Sequence, residues 1–192
     1  MPTITTLYHS GFGHTKVVAE HVNKGVASVD GANAILLSVD DLDTSNAKNT
    51  TGGAWDKLHD ADCIIFGAPT YMGAVSAPFK AFMDVTSKIW MDQRWRDKVA
   101  AGFTNSGNPS GDKVNTLSGI AIFAAQHSMI WVSQGLFPDG KGLNRLGGWL
   151  GMMAQSDNAP PDQTPPPEDR LTAERFGARV AEATARWVRG KA

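Results

Sequence analysis

Residues 3–20, with the sequence TITTLYHSGFGHTKVVAE, decide the fold of this chain. The stretch begins with a β-rich run, is interrupted by Gly11 and Gly13, and continues with apolar residues at helical spacing. We therefore predict a strand, a loop and the start of a helix, where free amide groups and the helix dipole favour an anion. Ser10 and Thr15 add hydroxyl donors, while the glycines allow an oxyanion to approach the backbone closely.

The loop at 10–15 fits neither of two common nucleotide-binding motifs. It lacks the Gly-Lys-Ser/Thr ending of a P-loop and the Gly-x-Gly-x-x-Gly spacing of a dinucleotide fingerprint. It suits a single phosphate bound without a metal, and the alternative is an ordinary turn between a strand and a helix. His9 and His14 lie close together, but no carboxylate or cysteine at ligand spacing accompanies them, so we predict no metal site.

The composition is typical of a soluble globular protein, and we predict a single domain over residues 1–192. Hydrophobic residues make up 42% and charged residues 19% of the chain, and the formal net charge is −1. This charge provides no electrostatic footprint for nucleic acid, and no apolar run is long enough for a membrane helix. A strand that begins by residue 3 argues against a signal peptide, and the single cysteine, Cys63, suits a reducing compartment. We therefore expect a cytoplasmic protein without nucleic-acid or membrane partners.

Strands and helices alternate along the rest of the chain, which predicts an α/β fold with helices on both faces of a parallel sheet. Further strands are predicted at 32–39, 61–67, 98–104 and 129–132. Helices are predicted after Ser76, over 113–126 and over 171–189. Residues 135–169 are rich in glycine and proline, and the piece near 149–155 is a candidate for an additional strand.

Three loops have the composition of a binding site, at 10–15, 68–73 and 104–111. In a parallel sheet covered on both faces, ligands bind at the carboxyl ends of the strands, where the strand order switches. Each of the three loops follows a predicted strand, so all three are expected at that edge. A phosphate at the first loop leaves room for a flat ring beside the other two.

Some segments also carry a family likeness. Residues 8–15 are YHSGFGHT, residues 65–73 are IFGAPTYMG, and residues 79–84 are FKAFMD. Together with Trp90, His127 and residues 103–107, they resemble the tryptophan-repressor-binding-protein type of NAD(P)H:quinone oxidoreductase, a branch of the flavodoxin-like proteins. The likeness covers nearly the whole chain, and the second segment with the helix that follows it is the most specific part.

The resemblance implies a flavodoxin-like three-layer sandwich with a five-stranded parallel sheet in the order 2-1-3-4-5. It also implies non-covalent FMN and a homodimer or homotetramer whose copies complete each other's active sites. The implied reaction is two-electron ping-pong transfer from NAD(P)H to a small-molecule quinone. The cofactor-binding residues implied in this way are Ser10, Gly11, Phe12, Gly13, His14, Thr15, Pro69, Thr70, Tyr71, Met72, Gly73, Thr104, Asn105, Ser106 and Gly107. His127 matches a family histidine that faces the flavin, which gives it the catalytic role, and Trp90 matches an aromatic wall of the substrate cleft.

The sequence leaves alternatives open for these residues and for the function. His127 precedes an apolar strand and is alternatively a buried structural histidine, and Trp90 is alternatively a core or interface residue. The alternative to the enzyme is a flavodoxin-type electron carrier or a general FMN-binding protein. Carriers use a strongly acidic surface to steer docking, which a net charge of −1 does not provide, so the enzyme is favoured. A serine hydrolase is disfavoured because no Gly-x-Ser-x-Gly elbow follows a strand.

Overall fold

A computed structural model describes residues 1–190 and shows strands alternating with helices. The strands are β1 (Thr3–Tyr8), β2 (Asn33–Ser38), β3 (Cys63–Tyr71), β4 (Ala74–Val75), β5 (Val99–Ser106), β6 (Ile130–Trp131) and β7 (Met152–Gln155). The α-helices are α1 (His14–Ala27), α2 (Asp56–His59), α3 (Ala77–Val85), α4 (Ser87–Met91), α5 (Lys113–Gln126) and α6 (Pro167–Arg189). The chain therefore has the α/β organisation that the sequence predicts.

The sheet has the order β2-β1-β3-β5-β6, and neighbours along this path pair in parallel. The path agrees with the predicted parallel sheet, because the fourth and fifth predicted strands are β5 and β6. The predicted count of five strands is wrong. Over residues 1–190 the sheet has seven strands, since β4 pairs with β3 in antiparallel orientation and β7 pairs with β5 in parallel. The predicted order 2-1-3-4-5 thus becomes 2-1-3-5-6.

Strands β6 and β7 share one edge of the sheet. β6 pairs with the start of β5, where Ile130 lies opposite Val99, while β7 pairs with its end, where Gln155 lies opposite Ser106. Residues 132–151 lie between these two strands in the chain. The candidate strand near 149–155 is confirmed as β7, and it delivers the residues that follow it to the carboxyl edge of the sheet.

The third strand is longer than predicted. The sequence predicts a loop at 68–73 because Pro69 and Gly73 ordinarily interrupt strands. β3 instead continues to Tyr71, because Pro69 still pairs with β5 and the last two residues pair with β4. The chain turns back between these two strands through Met72 and Gly73. Both turn residues have positive φ, +48° and +77°, as in the two-residue turns that suit the twist of a hairpin.

Apolar layers cover both faces of the sheet. The layer under α2 to α5 is dominated by aromatic rings, among them Phe66, Phe82 and Trp95, and the other layer lies under α1 and α6. Helices α1 and α6 pack in close contact, because Gly25 and Gly177 each face the backbone of the other helix with no space for a Cβ. This packing holds α1 and α6 together over one face of the sheet.

Cys63 is a buried residue at the start of β3. Burial raises the pKa of its thiol to about 12, so the thiol stays protonated and unreactive. Within residues 1–190, no helix combines the length and apolar character that crossing a membrane requires.

Candidate functional site

A pocket of about 340 Å³ lies at the carboxyl edge of the sheet, where β1, β3 and β5 end. Its walls come from the loop after β1, from the last residues of β3 and β5 with Gly107, and from the segment after β7. The lining residues are Ser10, Phe12, His14, Thr15, Pro69, Thr70, Tyr71, Asn105, Ser106, Gly107, Ser156, Asp157 and Asn158. The structure thus brings the three predicted loops together at one pocket.

The N-terminus of α1 forms one end of the pocket. Gly13 precedes the helix with a φ of +91°, in the left-handed region that glycine adopts without strain. The Ser10 hydroxyl accepts a hydrogen bond from the Lys16 amide at 3.1 Å and keeps its own proton for a ligand. The amides of His14 and Thr15 lie in the first helical turn and have no acceptor within the helix, so this end of the pocket favours an anion.

The end of β3 forms the second wall. Thr70 is largely buried, and its hydroxyl and that of Thr104 are 2.8 Å apart, which links β3 to β5. Tyr71 lies against the first loop, where a Cβ on Gly11 would be 2.7 Å from its hydroxyl. Burial raises the pKa of the Tyr71 phenol, and a hydrogen bond from the Gly11 backbone partly opposes that rise. The rings of Tyr71 and Phe12 meet edge to face at the exposed rim, with 6.0 Å between their centroids.

The end of β5 forms the third wall, where Asn105 and Ser106 are both largely buried. The Ser156 hydroxyl donates to Oδ1 of Asn105 at 3.0 Å. Oγ of Ser106 accepts a hydrogen bond from Nζ of Lys113 at 2.8 Å and donates to the Asn108 carbonyl at 3.0 Å. These bonds hold the polar atoms of this wall in a fixed arrangement.

Residues 156–158 form a fourth wall that the sequence analysis does not predict. They follow β7, and the Ser156 amide continues the pairing with β5 by donating to the Ser106 carbonyl at 2.9 Å. Nε2 of His14 lies 2.8 Å from the Ala159 carbonyl, so this ring ties the fourth wall to the first loop. The sequence does contain a signal for this wall, because any strand near 149–155 must end at the same edge as its parallel neighbours.

Several predicted cofactor positions lie beside the pocket and outside its lining, namely Gly11, Gly13, Met72, Gly73 and Thr104. The two glycines supply loop backbone, while Met72 and Gly73 form the exposed turn between β3 and β4. Thr104 is fully buried, and its hydroxyl donates to the Ala68 carbonyl at 2.7 Å. In the structure it supports β3.

His127, the predicted catalytic residue, lies at the edge of the sheet opposite the pocket of its own chain. It follows α5, and the next residue, Ser128, accepts a hydrogen bond through its carbonyl from the Asp97 amide, just before β5 begins. The residue is 2% exposed, and its ring centroid is 4.8 Å from those of Trp95 and of Phe123. Burial lowers its pKa to about 4. The structure does not bring His127 to the pocket of its own chain, and its surroundings match the alternative of a buried structural histidine.

Trp90 also lies outside the pocket of its own chain. It is 44% exposed near the end of α4. Its carbonyl accepts a hydrogen bond from the Gln93 side chain, and Oε1 of Gln93 accepts one from the Ser128 hydroxyl. These contacts place Trp90 on the surface at the same edge as His127.

The two histidines of the first loop make separate contacts. Nδ1 of His9 is 2.8 Å from the Ser76 hydroxyl, whereas His14 contacts the Ala159 carbonyl. Burial lowers the pKa of His9, with Asp40 acting in the opposite direction. Within residues 1–190, no three or more His, Cys, Asp or Glu side chains form a group that could hold a metal ion.

Comparison with known proteins connects the chain to flavoproteins. The family model for NADPH-dependent FMN reductase matches residues 8–143. Flavodoxin FldP of Pseudomonas aeruginosa is 41% identical over 187 residues, which cover 94% of this chain and 96% of that protein. An NAD(P)H dehydrogenase (quinone) of Archaeoglobus fulgidus is 32% identical over 95% of this chain and 97% of its own length.

Solved structures share the fold. The crystal structure of a flavodoxin, WrbA-like protein from Agrobacterium tumefaciens is 37% identical with a TM-score of 0.73, and the match covers 97% of this chain and 99% of that one. A flavodoxin from the domain Archaea is 20% identical with a TM-score of 0.65, over 95% of this chain and 99% of its own. At that lower identity the likeness concerns the fold alone. Both structures agree with the flavodoxin-like α/β fold predicted from the sequence.

Proposed function

The chain belongs to the NADPH-dependent FMN reductase family of flavodoxin-like flavoproteins, and on this premise we propose that it is an FMN-dependent NAD(P)H:quinone oxidoreductase. The proposed reaction moves two electrons from NAD(P)H to a small-molecule quinone in ping-pong order, so that NAD(P)⁺ leaves before the quinone binds. The observation that carries the proposal is the pocket, where a helix N-terminus, polar strand ends and an aromatic rim meet.

The residues of the pocket fit both parts of FMN. The first loop suits the phosphate, because Ser10 and Thr15 offer hydroxyls at a helix N-terminus. The first loop packs closely at Gly13, since a Cβ on this residue would lie 2.8 Å from the Pro161 ring. Asn105 and the backbone beside it offer hydrogen bonds suited to the polar edge of the flavin ring. We propose that the first loop holds the phosphate and that the second, third and fourth walls hold the ring.

The protein's own residues would bind and orient the reactants. Bound FMN would supply the redox chemistry, because its ring accepts a hydride and passes two electrons to an acceptor. Phe12 and Tyr71 are 74% and 38% exposed at the rim, where a flat nicotinamide or quinone ring can stack. The rim therefore suits one small aromatic reactant at a time, in agreement with ping-pong order.

A flavodoxin-type electron carrier is the second candidate, and the 41% identity to Flavodoxin FldP favours it. Carriers dock through charged surfaces, and an acidic surface raises the rate of encounter with a basic partner protein. The formal net charge of −1 and the apolar rim support the enzyme instead, since Phe12 and Met72 are strongly exposed beside the pocket.

Anaerobic visible spectroscopy of the FMN-loaded protein separates the two candidates. For the enzyme, NADH or NADPH bleaches the flavin absorption band at about 450 nm, and benzoquinone restores it. The bleaching and recovery can be repeated over many cycles. A carrier takes electrons from a reductase protein and is not reduced directly by either nucleotide. If neither NADH nor NADPH reduces the bound FMN, the enzyme proposal is rejected.

We also propose that the protein is a cytoplasmic homodimer or homotetramer. NAD(P)H is available in the cytoplasm, and apolar side chains on the surface support an interface between copies of the chain. Val114 and Ile122, on the outer side of α5, are 58% and 63% exposed, and Trp90 and Met91 are exposed at the end of α4. Sedimentation analysis tests the assembly, and a monomer at micromolar concentration would contradict it.

A further inference from the structure

Lys113, the first residue of α5, is buried directly behind the third wall of the pocket. It is 1% exposed, although lysine is rarely enclosed in proteins. Its Nζ donates to Oγ of Ser106 at 2.8 Å and to the Asn108 carbonyl at 2.7 Å. Both acceptors are uncharged, so these bonds do not neutralise the ammonium group. Because Ser106 lines the pocket, the charge lies one hydrogen bond behind the pocket surface.

No carboxylate among the described residues forms an ion pair with Lys113. Burial lowers the pKa of Lys113 to about 8, with Asp169 of α6 raising it and Arg145 of segment 132–151 lowering it. The ammonium therefore remains the main form at neutral pH. Asp169 already binds Arg145, with Nε–Oδ1 and Nη2–Oδ2 distances of 2.7 and 2.8 Å. The Asp169 carboxylate is thus engaged by Arg145, and Asp157 is an exposed carboxylate in the fourth wall.

We propose that Lys113 is a positioning residue whose buried charge stabilises two-electron-reduced flavin in the pocket more strongly than oxidised flavin. The inference rests on the proposed function, since it requires FMN in this pocket. Two electrons and one proton convert the oxidised flavin to its reduced form, which leaves one additional negative charge on the ring near neutral pH. The charge of the FMN phosphate is the same in both forms, so its attraction cancels in the comparison.

The burial of Lys113 makes its charge effective at the pocket. An exposed lysine is screened by water and salt, whereas the field of a buried ammonium acts through a medium of lower dielectric constant. A purely structural lysine would only fasten Ser106 to the Asn108 carbonyl and so hold the third wall in place. Such a role would affect both redox forms of FMN equally, and this difference separates the two roles experimentally.

The experiment uses the full chain with Lys113→Gln, Lys113→Arg and the control Lys88→Gln. At position 113, glutamine keeps a hydrogen-bond donor but removes the charge, whereas arginine keeps the charge. Lys88 is an exposed residue of α4 paired with Asp92, so its replacement removes a positive charge from the surface. For each protein, FMN titration of the apoprotein gives the affinity for oxidised flavin. Anaerobic reduction against a reference dye gives the midpoint potential, which reports the ratio of the affinities for reduced and oxidised flavin.

We expect Lys113→Gln to lower the ratio of reduced to oxidised affinity by at least about tenfold, which lowers a two-electron potential by about 30 mV. Lys113→Arg should restore most of the difference, and Lys88→Gln should match the wild type. If Lys113→Gln binds FMN with an unchanged potential, or weakens both forms equally, the electrostatic role is rejected while the proposed function stands. If the wild type binds no FMN, both proposals fail.

Discussion

The two edges of the sheet each contain a histidine, and they use it differently. At the carboxyl edge, His14 lines the pocket and contacts the Ala159 carbonyl. At the opposite edge, His127 is enclosed between Trp95 and Phe123. The difference follows from chain direction, because α1 starts at the carboxyl edge and α5 ends at the other. The role of each histidine is therefore set by the edge at which it lies, and the residue type alone does not reveal it.

The hydrogen bonds of the two edges differ in the same way. At the opposite edge, the Thr86 hydroxyl donates to the Met83 carbonyl at 2.7 Å. It can therefore only accept a hydrogen bond from Nε2 of His127, which is 3.0 Å away. Nδ1 of His127 is buried and has no hydrogen-bond partner among the described residues. This ring is thus held neutral. At the carboxyl edge, Ser10 keeps a free hydroxyl proton for a ligand.

The largest effect that we expect is a loss of stability when His127, at the opposite edge, is replaced. His127→Ala should lower the free energy of unfolding by about 3 kcal/mol, because it leaves a cavity between two aromatic rings. FMN affinity and quinone turnover should stay within about twofold of the wild type, since the pocket lies at the other edge. Urea unfolding, FMN titration and steady-state kinetics measure these quantities.

The matched variant at the carboxyl edge is His14→Ala. It should weaken FMN binding by about tenfold with less than about 1 kcal/mol of stability lost, because the ring ties the first loop to the fourth wall at a partly exposed position. The reverse pattern, with turnover lost in His127→Ala and unchanged in His14→Ala, would show that the two edges have been assigned the wrong roles.

The next largest effect concerns the start of α1. Gly13→Ala should weaken FMN binding by about 30- to 100-fold, because Gly13 has a φ of +91° and a Cβ there meets Pro161. Gly52→Ala is the matched control, since Gly52 has a φ of +81° and an added Cβ meets nothing within 4 Å. Titration of both apoproteins with FMN tests the difference. Equal losses in the two variants would mean that backbone strain alone, and no damage to an anion site, explains the effect.

His127 should also make the stability of the protein depend on pH. His127 has its pKa lowered from 6.5 to about 4, so between these values the unfolded chain binds a proton that the folded chain does not. The free energy of unfolding should therefore fall, by about 3 kcal/mol from this residue, as the pH drops through that window. His127→Gln should remove this part of the slope. His9 and His59, whose pKa values are also lowered, remain in both proteins and cancel.

The smallest effect is expected from the fourth wall. Asp157 is exposed in the pocket lining, and its Oδ1 accepts a hydrogen bond from the Ala159 amide at 2.9 Å. Asp157→Asn keeps the shape and removes a negative charge, so anionic FMN should bind about two- to fivefold more tightly at low salt. The gain should shrink in high salt, and weaker binding would contradict the electrostatic interpretation.

The sequence predicts the elements that local patterns determine. Residues 113–126 are predicted and observed as a helix, and the three loops meet at one edge because parallel strands all end there. The candidate strand near 149–155 predicts β7, but its place beside β5, and with it the fourth wall, depends on how the chain returns to the sheet after residues 132–151. The sequence does not predict the extension of β3 through Pro69, because pairing with β5 overrides the tendency of proline to interrupt a strand.

The length of α5 predicts the edge of the sheet at which His127 lies within its own chain. The family likeness implies a place beside a flavin, whereas within one chain a helix of this length that starts at the carboxyl edge spans the sheet. At 1.5 Å per residue, α5 is roughly 20 Å long, so the residue after it must lie at the opposite edge. The burial of Lys113 and the exposure of Trp90 depend on tertiary packing, which no pattern in the sequence specifies.

The central claim is that the pocket at the carboxyl edge binds FMN through the first loop, and an equilibrium titration tests it most directly. We expect the apoprotein to bind one FMN per chain at micromolar concentration or tighter, to bind riboflavin at least about tenfold more weakly for lack of the phosphate, and to lose this preference in Gly13→Ala. Absence of FMN binding at micromolar concentration, or equal affinity for riboflavin and FMN in the wild type, would contradict the account.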